Sequence, residues 1–562
     1  MFVDNLAMFF SSLSIQEAEE YLQTAINVLM ENFKKRGFKL SKTKTFGVHF
    51  CKLRSPRDDP ELNLADKRLQ FKREVKFLGV TFDSKLTWAS HVRDLEVRCK
   101  PVLNLMRCIS GISWGAEREV LLNIHQALIL ARIDYGCVIY GSARKSWLKK
   151  LDSIHYNGLK IAIGAFRTSP KESVFVESGV SPLNIRRKQP MMNYTSKIWA
   201  QQSHPLHAVL FGPANSGGER GSMKSLRVRL HAILDQHDLP QVFPLDVYEQ
   251  IPWQYETPCI HLECSKFKKQ ETNETLLQQT FLSVISRYRD TSEIIYTDAS
   301  KTKDGTACAI FVAGSSHSWN LHPASSICTA EMYALWQALK YCDLSNGTSY
   351  VVCTDSLSSL EKIRYPFNCD GLTSQIQASL AWLKEQSKSV VFVWTPSHSG
   401  ILGNEMADQA ARAAVTMNYV DNCLGGVNQT DLKIHFKEKF MIEWQTDWDK
   451  SNAKLRAVKK TVEKRRRKHL LSRTEDVSLT RLRIGHTNLT SLYMLRGSHQ
   501  PRCQECNQVL TVHHLLLECE KYRAVRNELN MSDTIETVLM EKPEHEEKVI
   551  KFLQRTHLMG KI

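Results

Sequence analysis

Between residues 292 and 416 the chain alternates short β-rich runs with helical ones, and acids recur where those runs meet turns or helix faces. Ile294-Ile-Tyr-Thr-Asp298 reads as a strand that reaches an acid before Ala299 and Ser300. Residues 308–312 and 316–321 follow as neighbouring strands. Thr329-Ala-Glu331-Met-Tyr-Ala-Leu-Trp-Gln-Ala-Leu339 opens like a helix with Thr329 as its N-cap, its apolar residues falling three and four apart. Tyr350-Val-Val-Cys-Thr-Asp355-Ser356 is a second strand closing on an acid. Residues 389–394 form a buried-type strand, Pro396-Ser-His398-Ser-Gly400 turns out of it, and Gly403-Asn404-Glu-Met-Ala-Asp408 starts a final helix. Such an order predicts a mixed β-sheet flanked by helices, within a multidomain α/β chain.

The chemistry follows from the side chains this order brings to one end of a sheet. Asp298, Glu331, Asp355 and Asp408 come from four separate elements, and the carboxyl ends of strands in an open α/β sheet are where ligands bind. Four carboxylates gathered at one spot repel each other unless cations neutralise them. Oxygen-only donors select hard cations, so Mg²⁺ or Mn²⁺ is the expected occupant. A pair of such ions about 3.5–4 Å apart activates a water and stabilises the leaving oxygen in phosphodiester cleavage. Taken singly, a Thr-Asp at a strand end is an ordinary turn former, and a Glu in a first helical turn complements the helix dipole. The four together, in this order, argue for a site.

Thr297-Asp298-Ala-Ser, Ala330-Glu331, Thr354-Asp355-Ser356 and Trp394-Thr-Pro-Ser-His398-Ser-Gly400-Ile-Leu-Gly403-Asn404-Glu405-Met-Ala407-Asp408 resemble type 1 ribonuclease H in order and spacing. The resemblance implies a ribonuclease H-like sheet and cleavage of the RNA strand of RNA–DNA hybrids with two Mg²⁺ (or Mn²⁺) ions. It makes Asp298, Glu331, Asp355 and Asp408 the metal ligands and assigns His398 to proton transfer or product release. Asn404 then contacts the nucleic acid or supports the loop, and Ser356 contacts the nucleic acid. Ala299 stands where the family frequently has Gly, a change that a strand tolerates.

The first hundred residues carry a second resemblance. Met1-Phe2-Val3-Asp4-Asn5-Leu6-Ala7 looks like the Tyr/Phe-x-Asp-Asp box of reverse transcriptases. Gly37-Phe-Lys-Leu-Ser-Lys-Thr-Lys44 and Phe77-Leu-Gly-Val-Thr-Phe-Asp83-Ser-Lys-Leu-Thr-Trp88-Ala-Ser-His91 resemble the segments that follow it in non-LTR retrotransposon polyproteins. A polymerase palm holds two metals with paired carboxylates. Asn5 brings no charge to the second place of the box, and the family's other catalytic acid lies upstream of the box. The expectation is a chain without DNA polymerase activity. By this reading residues 1–100 are a truncated palm remnant in which Thr45-Phe-Gly-Val-His-Phe50 and Val75-Lys-Phe-Leu-Gly-Val-Thr-Phe82 are strands. Residues 101–235 are a helical thumb or connection region, helical through Val120-Leu-Leu-Asn-Ile-His-Gln-Ala-Leu-Ile-Leu130. Residues 236–291, with Pro240, Pro244, Pro252 and Pro258, are a linker, 292–416 the ribonuclease H domain, and 430–562 a basic helical tail.

Charge separates the last two regions. The 562-residue chain has a formal charge of +16. Residues 292–416 hold 8 Lys/Arg against 11 Asp/Glu, a net of −3, whereas residues 432–502 hold 18 against 7, a net of +11. A surplus of that size favours polyanions, nucleic acid first. Lys459-Lys-Thr-Val-Glu-Lys464-Arg-Arg-Arg-Lys468 lies inside it and reads as a solvated helix face, a phosphate-contacting run or a nuclear-import address. Because residues 365–388 hold only Lys384 and Lys388, the 432–502 stretch is expected to supply the grip on a hybrid. Further on, Cys503-Gln-Glu-Cys506, His514 and Cys519 fit Cys-x2-Cys-x7-His-x4-Cys, three thiolates and an imidazole suited to one tetrahedral structural Zn²⁺. The spacing resembles the element after ribonuclease H in insect-type non-LTR retrotransposons; His513 could substitute for His514.

No apolar run approaches the roughly 18–20 residues a membrane span needs, so no membrane partner is expected, and no small-molecule cofactor either. The other cysteines, mostly scattered singly, suit free thiols in a reducing compartment, which places the chain inside the cell, in the nucleus or cytoplasm. Two functions remain open: a metal-dependent endoribonuclease on RNA–DNA hybrids, and a catalytically dead nucleic-acid-binding remnant of a retroelement.

Overall fold

The computed structural model describes all residues except 1–5, 52, 54–57, 214–223, 237–241, 244–256, 267–272, 366–369, 417–426 and 464–470. The Asp4-Asn5 box and the centre of the 459–468 basic run therefore lie outside the described residues. The chain divides into two compact units, one made of Met1–Arg187, Arg220–Ser225 and Trp444–Ile562, the other of Lys188–Glu219 and Leu226–Glu443.

The second unit is built on a six-stranded sheet. Its strands are β1 (Cys259–His261), β2 (Glu293–Lys301), β3 (Thr306–Val312), β4 (Ser315–Leu321), β5 (Ser349–Thr354) and β6 (Ser389–Trp394), in the spatial order β1-β6-β5-β2-β3-β4. β2, β3 and β4 form an antiparallel meander, while β5, β6 and β1 run parallel to β2. The parallel strands β5 and β6 read Tyr-Val-Val-Cys and Val-Val-Phe-Val, as strands covered on both faces do. Helices α1 (Glu274–Ile285), α2 (Ile327–Leu344), α3 (Leu357–Arg364), α4 (Gly371–Glu385) and α5 (Leu402–Thr416) lie between or after these strands, and the unit also holds the helices Lys188–Ala200, His207–Phe211 and Leu226–Leu234 and the first part of Gln429–Asp449. α2 and α4 share a core with the sheet through Leu335, Leu339, Ile376 and Phe392; Phe281, Val284 and Ile285 of α1 join Val351 and Val393 in a second cluster.

Two expectations are corrected here. The N-cap of α2 is Ser326, not Thr329: Ser326 Oγ accepts the N–H of Thr329 at 3.2 Å, so the helix begins before Thr329. The segment 236–291 is also more than a linker, since β1 adds to the edge of the sheet and α1 packs into the core. The prolines that suggested a linker all precede a short strand, Cys259-Ile-His, which among the described residues gains its ladder only from β6.

The first unit joins the helical region to the tail. Helices Ala89–Ile109 and Lys145–Ala162 bury Val92, Leu95, Leu103, Leu151 and Ile154 in one core, with Arg118–Ile124 continuing through a π-helical stretch, His125–Leu130. The run expected as one strand at 75–82 is a hairpin of Glu74–Phe77 and Val80–Asp83, turned by Leu78 and Gly79 at φ 45° and 81°. Residues 45–50 contribute a single bridge, Gly47 to Phe71.

Many cations of the basic stretch turn inward within this unit. Arg473 donates to Ala162 O at 2.7 Å and Ile161 O at 3.0 Å, and Arg481 Nε donates to Gly164 O at 3.0 Å. Arg118 bridges Glu177 at 3.2 Å and Asp476 at 3.0 Å, while Arg483, 1% exposed, pairs with Glu546 at 2.6 Å. These arginines fasten the Arg473–Ile484 helix to the helical region and to the Pro543–Arg555 helix. The +11 total therefore overstates the charge this stretch leaves available to a polyanion.

Candidate functional site

The register of the sheet positions the first two acids. Thr297 of β2 lies opposite Thr354 of β5, and Asp298 and Asp355 each come next. The parallel ladder ends at that pair, although β2 itself runs three residues past Asp298 because its antiparallel pairing with β3 continues to Lys301. Glu331 projects from the first turns of α2. Oxygens of Asp298, Glu331 and Asp355 lie within 4.8 Å of one another.

This is an electrostatically unfavourable arrangement on its own. Asp298 and Glu331 are each 7% exposed, and Oε2 of Glu331 is buried with no hydrogen-bond partner. Burial, then the charge of Asp355, pushes the Asp298 carboxyl up to about 7. Burial and Asp298 hold Glu331 well above the usual carboxylate range. The Ala299 N–H, at 2.7 Å from Asp298 Oδ1, opposes the shift only in part. A pocket of three oxygens with one orphaned atom fits a hard divalent cation.

Asp408 stands outside that close group. It lies one turn into α5, where Arg412 Nε meets its Oδ1 at 2.7 Å, yet its charge reaches both Asp298 and Glu331. Arg412 escaped the sequence reading; its i,i+4 spacing from Asp408 was the available signal. α5 approaches the sheet because Gly403 has no side chain: a Cβ there would overlap the Tyr296 ring.

The loop into α5 is braced from both sides. Trp394 Nε1 donates to Asp355 O at 3.0 Å, and Gln278 Nε2 of α1 donates to Gly400 O at 3.2 Å. His398 is exposed on this loop at φ 50° and makes no hydrogen bond with the acids among the described residues. Asn404 is 4% exposed, its Oδ1 buried without a partner. Ser356 stands at the N-cap position of α3 without a capping hydrogen bond from its side chain, its Oγ 2.8 Å from Ser359 Oγ.

In the other unit Cys503, Cys506, His514 and Cys519 come together, their ligand atoms within 4.8 Å. His514 is 1% exposed; Gln508 Oε1 lies 3.0 Å from its Nδ1, while Nε2 is buried without a partner. With Nδ1 carrying the proton, Nε2 presents a lone pair, as a zinc ligand must. The Cys506 N–H draws the Cys503 thiol below its ordinary range, whereas burial pushes Cys519 up. His513 is exposed and faces Glu518 at 3.1 Å, so His514 is the member of the pair that fits.

Residues 290–416 match the RNase H family, and this segment is an RNase H domain. That family is one of hydrolases acting on RNA–DNA hybrids. The chain is also similar to proteins of non-LTR retrotransposons. It is 23% identical over 216 residues to the retrovirus-related Pol polyprotein from type-1 retrotransposable element R1 4 of Nasonia vitripennis, covering 34% of this chain and 53% of the relative. The RNA-directed DNA polymerase from mobile element jockey of Drosophila melanogaster is 23% identical over 164 residues, 29% of this chain and 18% of the relative. The probable RNA-directed DNA polymerase from transposon BS, also of Drosophila melanogaster, is 26% identical over 164 residues, 28% and 18% of the two chains. The match thus spans about half the length of the first relative and under a fifth of the others.

Proposed function

We propose that this protein is a metal-dependent endoribonuclease that cuts the RNA strand of RNA–DNA hybrids within a retroelement. The observation that carries the reading is the convergence of Asp298, Glu331 and Asp355 oxygens in a half-closed pocket where burial and mutual repulsion disfavour their charged forms. Two divalent cations, when bound, supply the nucleophilic hydroxide and stabilise the leaving oxygen. Asp298, Glu331 and Asp355 hold them, with Asp408 completing the second site. His398 moves a proton or aids product release from its exposed loop; Asn404 and Ser356 hold the nucleic acid beside the acids.

The same reading gives Cys503, Cys506, His514 and Cys519 to one structural Zn²⁺ that fastens the segment before the C-terminal helices. Asn5 leaves the polymerase box one charge short, so polymerase activity is absent. The alternative, a remnant that binds hybrids without cutting them, draws its support from Asp408 being engaged by Arg412 outside the close group.

Purified full-length protein offered a labelled RNA–DNA hybrid, duplex DNA and single-stranded RNA tests the reading. The expected result is cleavage confined to the RNA of the hybrid and dependent on Mg²⁺ or Mn²⁺. Binding of the hybrid with no cleavage under any divalent cation would leave the remnant in place.

A further inference from the structure

The acids of the site are not equivalent. Three offer oxygens within 4.8 Å of each other, while the fourth, Asp408, is held by Arg412 at 2.7 Å. Asp408 is mostly buried, 16% exposed at its side chain, but Arg412 is 61% exposed and free to swing into solvent. Both sit on α5, which packs against β3 and against β2, the strand that carries Asp298.

We infer that Arg412 is a positioning residue that competes for Asp408 with the second divalent cation, making metal loading of the site sequential. The inference rests on the proposed nuclease reading. The first ion meets a ready set of three acids whose mutual repulsion it relieves. The second needs Asp408, whose carboxylate must leave the guanidinium, so Arg412 opposes it twice: it occupies the ligand and adds a positive charge beside a cation site. A helical i,i+4 pair with its cation in solvent shifts an equilibrium by about two- to fivefold, enough to separate two binding steps without abolishing either.

Mn²⁺ titration of the metal-free full chain, followed by calorimetry and by the paramagnetic resonance signal of free Mn²⁺, counts the ions independently of activity. The wild type is expected to bind one ion tightly and one more weakly. Arg412→Ala should tighten the weaker step by about two- to fivefold and leave the tighter one within error. Arg412→Lys, which keeps the charge, should fall between, and Asp408→Asn should lose the weaker step alone. An unchanged weaker step in Arg412→Ala, or a second ion bound normally by Asp408→Asn, overturns the inference while the three-acid site stands. Absence of Mn²⁺ binding by the wild type would sink the nuclease reading and this inference with it.

Discussion

Thr297 and Thr354 face each other in parallel register, so the residues that follow them, Asp298 and Asp355, stand as neighbours where the ladder between β2 and β5 ends. Nothing but the pairing of two strands is needed to set the carboxylates side by side, and the pair is costly before any cation arrives. Asp298→Asn should therefore do two opposite things. The Asp298 pKa is raised from its ordinary 3.8 to about 7, so in the metal-free protein its contribution to stability falls as pH rises between those values. Removing the charge should stabilise the metal-free protein at pH 8 by on the order of 1–2 kcal/mol, while abolishing cleavage and shrinking the thermal shift on adding Mg²⁺. Melting curves in chelator and in Mg²⁺ check this; a variant that is less stable in chelator would contradict it.

The first unit should respond to acid in the other direction. His125 Nε2 lies 3.0 Å from His155 Nδ1, and His155 Nε2 lies 3.0 Å from Ser181 O, a chain in which each ring can carry only one proton. Burial pushes His125 down to about 4 and His155 well below its ordinary value. Their folded values lie below the unfolded one near 6.5, so their contribution is complete above that pH and is lost as pH falls towards 4. Loss on the order of 2–3 kcal/mol between pH 6.5 and 4 is expected by urea unfolding, with a shallower slope in His125→Asn. A pH-independent midpoint over that range would refute it.

Arg483 is the buried cation that binds the tail together. Its Nη2 meets Glu546 at 2.6 Å and its Nε donates to Leu539 O at 3.0 Å. Arg483→Ala removes the cation that the Glu546 carboxylate, 2% exposed, meets at 2.6 Å, and should cost about 3–5 kcal/mol. Arg483→Met combined with Glu546→Leu should recover most of that. Urea midpoints of the two variants decide the matter, and a double variant as unstable as the single one would count against it.

Purified protein should contain one zinc per chain, released by thiol titration with a chromogenic mercurial. His514→Gln should lose that zinc and His513→Gln keep it, because only His514 presents a buried, unpartnered Nε2 to the three sulfurs. Equal zinc content in the two variants would overturn the assignment.

The strands leading to Asp298 and Asp355, and the helix of Asp408, were legible because a buried parallel strand must be continuously apolar; the three further residues of β2 were not, because they are held only by the antiparallel partner β3. The grouping of Cys503, Cys506, His514 and Cys519 was legible for a similar reason: three thiols and an imidazole at close spacing have few other uses. What local pattern could not carry was tertiary. Cys259–His261 is three residues long and becomes a strand only beside β6. Arg473, Arg481 and Arg483 look like a solvated basic face until their carbonyl and carboxylate partners, up to several hundred residues away in sequence, are in place. Arg412 was hidden by the opposite bias, an ordinary helical ion-pair spacing that gives no hint of the site it borders.

The central claim is that the clustered acids hold the cations that cut the hybrid. Single-turnover cleavage of a labelled RNA–DNA hybrid, wild type against Asp355→Asn at saturating Mg²⁺, tests it most directly. The account predicts metal-dependent cutting of the RNA strand by the wild type and a loss of roughly a hundredfold or more in the variant, with hybrid binding retained. Cleavage by Asp355→Asn at the wild-type rate would contradict it.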